Sequence, residues 1–331
     1  MIGNARMFRG LCIGAACLAS VAGTMRFASA QGSGVVLSPI RVSDRVWYFR
    51  GEGAVPSAAN KGFTSNAGFV ITGEGVVVFD ALGTPALGEA MIAAIASVTK
   101  EPVKLVIVSH YHADHVYGLQ AFAARGIPIW ANEKGRAYLQ SPASAERLAQ
   151  RRAELAPWVD DRTRVVAADR WLRFDASPEI GFAFGKTKFR LIEVGGAHSP
   201  EDIMLWMEDE RLLFSGDLYF TGRIPYVGNA DSKAWLLALD RIVRLEPRTV
   251  IPGHGAVSTR VAEDIGLTRG YLTFLREKLG AAIRDLKSFD EAYAEIDWSP
   301  FRSQPAFEAA NRINAYGTYL QMQSELLKDA R

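Results

Sequence analysis

Two kinds of hydrophobic pattern alternate along this chain. Short apolar runs between turn residues predict strands, and apolar residues that recur every three to four positions predict amphipathic helices. A hairpin is predicted over 66–80, with Gly73-Glu74-Gly75 at its turn. A helix then follows Thr84-Pro85, and a buried β-branched strand covers 103–108.

The same two patterns continue to the end of the chain. Helices are predicted over 116–125, 133–155 (broken near Ser141-Pro142), 232–245, 259–286 and 307–327. Strands are predicted over 127–130, 165–166, 171–172, 182–184, 189–194, 203–207, 211–214 and 250–251. Residues 51–64 have no period and indicate a loop, either an ordinary connection or a mobile flap. Strands and helices thus alternate twice, which favours one α/β domain with two packed sheets and helices outside.

Composition supports a globular protein and argues against a nucleic-acid partner. Of 331 residues, 49% are hydrophobic and 22% charged, and the net charge is +2. Residues 1–30 contain three arginines and no acidic residue, so the rest of the chain carries about −1. A near-neutral chain lacks the basic excess that binding to phosphates requires.

The first thirty residues have the pattern of a secretory signal peptide. Arg6 and Arg9 precede an apolar run from Leu11 to Val21, which is too short to span a bilayer, and Ala28-Ser29-Ala30 precedes a cleavage site. A membrane anchor is the alternative. We expect cleavage after Ala30, export to the periplasm, a single domain over 31–331 and no stable membrane insertion once the signal is removed.

Both cysteines, Cys12 and Cys17, lie within the predicted signal. The mature chain then has no disulfide and no thiolate ligand, so a metal would have to be held by nitrogen and oxygen atoms.

Three of the five histidines lie in one stretch, His110-Tyr111-His112-Ala113-Asp114-His115, directly after the strand at 103–108. Alternate residues of an extended segment face the same way, so His110 and His112 can reach one metal. Asp114 and His115 come where the chain turns, and can reach a second metal. Imidazole and carboxylate ligands suit zinc, with iron or manganese possible.

Three later segments also place a histidine or aspartate after a strand and beside glycine. They are Gly195-Gly196-Ala197-His198, Ser215-Gly216-Asp217 and Pro252-Gly253-His254. Singly, each is more typical of a core or turn residue. Their common position at strand ends, with every histidine of the chain included, predicts a metal site.

With these motifs the chain resembles the metallo-β-lactamase superfamily over residues 35–258. That family's His-x-His-x-Asp-His pattern matches residues 110–115, and its later ligands match His198, Asp217 and His254. The resemblance implies a four-layer αβ/βα sandwich with the site between the sheets. It implies that His110, His112 and His198 hold one metal, that Asp114, His115 and His254 hold the other, and that Asp217 bridges them. Asp80 would be a buried structural partner.

The resemblance further implies a hydrolase with two Zn²⁺ ions per chain. A metal-bridging hydroxide would attack an ester, thioester or amide-type bond of a small molecule, and Asp114 would orient the hydroxide as well as bind metal. Asp217 stands where zinc β-lactamases of the best-known kind have cysteine. The chain is most similar to periplasmic, SoxH-like zinc hydrolases associated with quinoprotein or sulfur-oxidation systems.

Four functions therefore remain open: a dinuclear hydrolase of another substrate, a β-lactamase, a mononuclear iron enzyme of the persulfide dioxygenase type, and a non-catalytic metal-binding protein. The substrate and the oligomeric state are not predicted. Arg223, six residues after Asp217, is the candidate for binding a substrate anion; Lys61, Tyr219, Tyr226 and Asn229 are further candidates.

Overall fold

The computed structural model describes residues 34–329. The predicted signal peptide and its cleavage site lie outside the described residues, so both stay predictions. No helix within the described range is long and apolar enough to cross a membrane.

The first sheet has seven strands that neighbour one another in chain order. They are β1 (Ile40–Arg41), β2 (Val46–Phe49), β3 (Ala67–Ile71), β4 (Val76–Phe79), β5 (Val103–Ile107), β6 (Ile129–Asn132) and β7 (Arg170–Leu172). Strands β1 to β4 pair antiparallel, and β4 to β7 pair parallel. The predicted hairpin is confirmed as β3 and β4.

The second sheet has five strands in the order β12-β11-β10-β9-β8. They are β8 (Glu179–Phe184), β9 (Thr187–Glu193), β10 (Ile203–Met207), β11 (Leu212–Phe214) and β12 (Thr249–Ile251). All neighbours pair antiparallel except β11 and β12, which are parallel and are joined through a helix.

Helices cover the outer faces of both sheets. Their bounds are α1 (Pro85–Val98), α2 (Ala113–Val116), α3 (Leu119–Ala123), α4 (Gly135–Leu139), α5 (Pro142–Leu155), α6 (Ser232–Arg244), α7 (Val261–Asp264), α8 (Gly266–Arg284), α9 (Phe289–Glu295) and α10 (Phe307–Asp329). Thr84 caps α1 by accepting a hydrogen bond from the Leu87 N–H, with Pro85 in the first turn, as the sequence predicts.

Three buried clusters define the layers. In the middle cluster, Val77 and Leu105 of the first sheet lie with Leu191, Leu205 and Phe214 of the second, so the two sheets pack face to face. A second cluster joins the outer face of the first sheet to α1, α3 and α5, and a third joins the outer face of the second sheet to α6, α8 and α10. The expected four-layer αβ/βα sandwich is confirmed.

The structure differs from the sequence prediction in three helical or strand segments. Residues 165–166 are not a strand; their side chains pack against the first-sheet cluster without a strand partner. The helix predicted over 259–286 is divided into α7 and α8 near Gly266, a residue of low helix propensity. Helix α9 was missed, although Ser288 and Glu291 form the capping box that marks its start.

Candidate metal centre

All seven predicted ligands lie together where strands of both sheets end. His110 and its neighbours follow β5, His198 follows β9, Asp217 follows β11, and His254 follows β12. The carboxyl ends of parallel strands share one edge of a sheet, so successive strands deliver side chains to one place. Because the two sheets pack face to face, the ligand-bearing strand ends of both sheets lie at the same edge of the sandwich.

The first group of potential ligands consists of His110, His112, His198 and Asp217. One nitrogen or oxygen atom from each lies within 4.8 Å of the others. His198 Nε2 is 2.8 Å from His112 Nδ1, and Asp217 Oδ2 is 3.3 Å from His198 Nε2. These atoms point at a common position, which is the arrangement that one bound cation requires.

The second group consists of Asp114, His115 and His254, again with ligand atoms within 4.8 Å of one another. Asp217 lies between the groups: its Oδ1 is 3.1 Å from His115 Nε2, and its Oδ2 is 3.3 Å from His254 Nε2. A single carboxylate thus contacts members of both groups, as a bridging ligand would.

Hydrogen bonds to the second ring nitrogen orient three of the histidines. The Nδ1 atom of His115 lies 2.9 Å from Asp80 Oδ2, that of His254 lies 2.7 Å from the Thr64 carbonyl, and that of His110 lies 2.9 Å from Ser109 Oγ. When Nδ1–H donates, the Nε2 lone pair is left for a metal, and the ring is held in place.

Asp80 supports one histidine of each group. Its Oδ1 accepts from the Ser109 N–H and its Oδ2 from the Ser109 hydroxyl, which also contacts His110. The same Oδ2 faces His115. Asp80 has a positive φ of 62°, which places its carboxylate behind the histidines. Asp80 is 1% exposed and reaches the His115 ring at Nδ1; its role as a buried partner that does not bind metal stays a prediction.

The residues present fit a divalent cation. His110 Nε2, His115 Nε2 and Asp217 Oδ1 are buried and have no hydrogen-bond partner among the described residues. Buried polar atoms are normally satisfied, so orphaned atoms in both ligand groups indicate that the groups bind cations. Nitrogen and carboxylate oxygen are the donor set of zinc and related metals.

Electrostatics favour the same interpretation. Burial lowers the pKa of His110 well below its ordinary value and that of His198 to about 3, which keeps both rings neutral. Burial would raise the pKa of Asp217, but His254 and His115 hold it well below the usual range. Burial opposes charge on His115 as well, but Asp217, Asp80 and Asp114 raise its pKa well above the ordinary value. Carboxylate charge therefore dominates the centre and favours a bound cation, which would take the place of the proton on His115.

Close packing around Asp217 explains one of the glycines. A Cβ atom at Gly253 would lie 2.0 Å from Asp217 Oδ1 and 2.7 Å from the Gly216 carbonyl oxygen. Any side chain at residue 253 would therefore displace the carboxylate that both groups contact.

Arg223 lies in the wall of the site. It is 6% exposed, and its Nε and Nη1 donate long hydrogen bonds to the carbonyls of Ile224 and Ala54. Burial lowers its pKa, and the nearby carboxylates of Asp114 and Asp217 partly offset that effect. Among residues 34–329 it forms no ion pair. The Tyr226 ring is edge-on to His112, with centroids 6.4 Å apart.

Sequence reasoning missed the contribution of residues 64–66. The Thr64 carbonyl lies 2.7 Å from His254 Nδ1. The Asn66 amide nitrogen donates to the carbonyls of Pro252 and Gly255, and its oxygen accepts from the Gly51 N–H. All three residues from Thr64 to Asn66 are buried. The polar composition of the segment gave no signal of this role. Of the weaker candidates, Tyr219 is a buried core residue that bonds Ser258.

A two-sheet sandwich with two histidine–aspartate groups at one edge defines a metal-dependent hydrolase, and the comparisons identify the family. The Metallo-beta-lactamase superfamily profile matches residues 60–254, and the chain belongs to that superfamily. A Metallo-beta-lactamase type 2 from Bacillus sp. (strain 170) is 26% identical over 235 residues, which cover 68% of this chain and 78% of the relative.

Two further similarities are to alkylsulfatases. A linear primary-alkylsulfatase from Pseudomonas sp. is 22% identical over 241 residues, 62% of this chain and 44% of that relative. The structure of the sec-alkylsulfatase Pisa1 from Pseudomonas sp. matches with a TM-score of 0.68 at 16% identity, covering 86% of this chain and 50% of its own. A match of that length extends beyond residue 254, so the shared fold includes part of the C-terminal helices.

Proposed function

We propose that the chain is a dinuclear zinc metallohydrolase that cleaves an ester, thioester or amide-type bond of a small anionic molecule. The observation that carries this proposal is Asp217, whose two oxygens contact histidines of both ligand groups. His110, His112 and His198 would hold one zinc ion, Asp114, His115 and His254 the other, with Asp217 as the bridge. The second group supports two metals over a mononuclear iron site.

Zinc bound in this way would lower the pKa of a water molecule toward ~7 and polarise the bond to be broken. The residues of the chain do the positioning. The Asp114 side chain is 20% exposed, against 4% for Asp217, so it can face both the metal and an entering substrate. Its Oδ2 lies 3.4 Å from His254 Nε2. Asp114 is therefore the candidate to orient a nucleophilic water and accept its proton.

Arg223 supports the anionic character of the substrate. A buried guanidinium without an ion-pair partner is costly, and only two of its five N–H groups have acceptors among the described residues. It lies beside the centre: burial lowers its pKa, and Asp114 and Asp217 are close enough to offset part of that effect. A carboxylate or sulfate group of the substrate would supply the missing partner.

Hydrolysis of a sulfate ester is the second candidate function. Relatives named as alkylsulfatases are similar to this chain, and the fold that they share extends into the C-terminal helices. The unpaired Arg223 suits a sulfate group as well as a carboxylate. Because a relative is named as a metallo-β-lactamase, any panel of test substrates should include β-lactams.

We further propose that residues 1–30 are removed after Ala30 and that residues 31–331 act as a single domain in the periplasm. More specifically, we propose that its role is like that of the periplasmic, SoxH-like zinc hydrolases. N-terminal sequencing of the exported protein tests the cleavage site, with a first residue other than Gln31 as the contrary result.

Metal content and turnover together test the hydrolase proposal. We expect about two zinc ions per chain, with turnover of at least one member of a panel of carboxylic esters, thioesters, lactones, β-lactams and alkyl sulfates. His112→Ala and Asp114→Asn should lose metal and activity together, whereas Asp209→Asn, in an exposed turn, should keep both. One iron ion per chain, no bound metal, or full turnover by metal-free His112→Ala would contradict the proposal.

Matched substrates test Arg223. For an anionic ester we expect Arg223→Met to lower kcat/KM about 10²-fold, because a charge-assisted contact of ~3 kcal/mol is lost. The neutral methyl-capped analogue should lose little, and zinc content should stay unchanged. Arg244→Met, on an exposed helix end, is the control. Equal losses for both substrates would show that Arg223 does not select charge.

A further inference from the structure

The first ligand group joins two segments that lie far apart in the chain. His110 and His112 follow β5 of the first sheet, and His198, 86 positions beyond His112, follows β9 of the second. Their facing nitrogens, His112 Nδ1 and His198 Nε2, are 2.8 Å apart. The other ring nitrogen of His198 is buried and has no hydrogen-bond partner among residues 34–329. The distance between the two segments must therefore be set by groups other than this ring.

One buried side chain connects the two segments directly. Glu201, 4% exposed, comes shortly after His198, and its Oε1 accepts a hydrogen bond from the Tyr111 N–H at 3.1 Å. Tyr111 stands between the ligands His110 and His112. A bond at this position holds the backbone from which both of those imidazoles project.

The turn that carries His198 is held well enough to transmit this contact. The Asp202 carboxylate accepts hydrogen bonds from the backbone N–H groups on both sides of His198. At the end of the turn, the Ile203 N–H donates to the Ser109 carbonyl at 3.1 Å. The turn is therefore braced by Asp202 and joined to the ligand segment after β5 at two points, of which the Glu201 contact is made by a side chain.

Packing leaves Tyr111 and Glu201 little room to move. The Tyr111 ring is 1% exposed and stacks on Trp171, with ring centroids 5.9 Å apart and planes inclined by 29°. At Gly135, the first residue of α4, a Cβ atom would lie 2.7 Å from Tyr111 Cδ2 and 3.7 Å from Glu201 Cγ. The start of α4 thus lies against both residues. Because close-packed groups cannot shift independently, the hydrogen bond between them is held at one place.

We propose that Glu201 is a positioning residue for the first ligand group: it holds the 110–112 backbone and the His198 turn at the separation that one zinc ion needs, without binding zinc itself. This inference rests on the proposed dinuclear zinc function. The histidines of the second group have their own partners, Asp80 and the Thr64 carbonyl, and so depend on Glu201 much less. Loss of Glu201 should therefore weaken zinc binding at one group and not at both.

Zinc titration of the metal-free protein, in competition with a chromophoric chelator, tests this role. We expect two binding steps in the wild type and, in Glu201→Ala, an affinity roughly 10- to 100-fold weaker at one of them. His254→Ala disables the second group and leaves one step, which Glu201→Ala should weaken by the same factor. The weakened step is then that of the first group.

Matched variants separate positioning from a general loss of stability. In Glu201→Gln the amide oxygen can still accept from the Tyr111 N–H, so this variant should recover most of the lost affinity. Glu101 also accepts from backbone N–H groups, those of Gly73 and Gly75, at the hairpin turn before β4. Glu101→Ala should lower the denaturation temperature, as Glu201→Ala does, but leave both zinc affinities unchanged.

A shorter carboxylate gives a second form of the test. Glu201→Asp lacks one methylene and falls short of the Tyr111 N–H, so it should weaken the same step, and it serves where Glu201→Ala does not fold. Two unchanged zinc affinities in both variants, or no recovery in Glu201→Gln, would overturn the positioning role while the two zinc ions of the wild type leave the hydrolase function standing. A wild type that binds no zinc would overturn both.

Discussion

The floor of the site and its wall are held by different parts of the chain. The floor, meaning the seven side chains at 110–115, 198, 217 and 254, is attached to strand ends and oriented by buried carboxylate and carbonyl partners. The wall, residues 221–228, is an irregular segment that depends on the C-terminal helices. Asn314 of α10 binds its backbone, and the Pro305 carbonyl accepts from the Ile224 N–H.

From this difference we expect the floor to determine metal binding and the wall to determine substrate binding. The strands that position the floor belong to the part of the chain that matches the superfamily profile. The helices that position the wall follow that match. A change in the floor should therefore abolish metal binding, whereas a change in the wall should alter substrate binding and leave the metals in place.

Asp217→Asn is expected to have the largest effect on metal binding and turnover, because Asp217 contacts histidines of both ligand groups. An amide has the shape of the carboxylate but lacks its charge, and two cations would lose their shared counter-charge. We expect loss of at least one zinc ion and a fall in kcat/KM of about 10³-fold or more, measured by metal analysis and steady-state kinetics. Two tightly bound zinc ions in this variant would refute the bridging role.

Asn314→Ala should disturb the backbone of the wall and leave the metal ligands of the floor unchanged. It leaves the Val227 N–H and the Pro225 carbonyl without a buried partner, which we expect to lower the free energy of unfolding by about 2 kcal/mol. KM should rise more than kcat falls, with zinc content unchanged. Ser324→Ala, exposed on the same helix, is the control. Loss of zinc from Asn314→Ala would remove the distinction between the two regions.

The sequence predicted the floor better than the wall for a physical reason. Metal ligands are drawn from few residue types, and all five histidines of this chain stand at the ends of predicted strands, so their number and spacing carry the information. Asn314 is 204 positions from His110 and carries an amide that usually occurs at the surface. Nothing local distinguishes it, because its partners are backbone groups brought near by tertiary packing.

The same limit applies to the buried partners within the floor. Asp80 could be predicted from the family pattern, but Thr64 contributes only a carbonyl oxygen, which every residue has. The boundaries of two short helices, by contrast, have signals in the local sequence. Helix α9 begins at a capping box, and α7 ends beside Gly266, a residue of low helix propensity.

Replacement of Asp202 should produce the smallest of these effects. It tests how the turn that carries His198, a part of the floor, is stabilised. This buried carboxylate accepts hydrogen bonds from the Ala197 and Ser199 N–H groups and from the Ser199 hydroxyl, and so shapes the turn that carries His198. Burial raises its pKa from 3.8 to about 7, although the hydrogen bonds from Ser199 oppose that rise. Because the folded state binds the proton more tightly than the unfolded state, stability should be greatest below about pH 4 for this group and should fall as the pH rises toward 7.

Asp202→Asn keeps the hydrogen-bonding shape of this turn: the amide oxygen can accept from both N–H groups, and the amide nitrogen can donate to the Ser199 hydroxyl. The variant cannot ionise, so its stability relative to wild type should increase by about 1–2 kcal/mol between pH 5 and pH 6.5. Chemical denaturation with a chelator present isolates this difference, since metal affinity itself depends on pH. A constant difference across that range would mean that Asp202 stays ionised in the fold, and that the hydrogen bonds of the turn outweigh its burial.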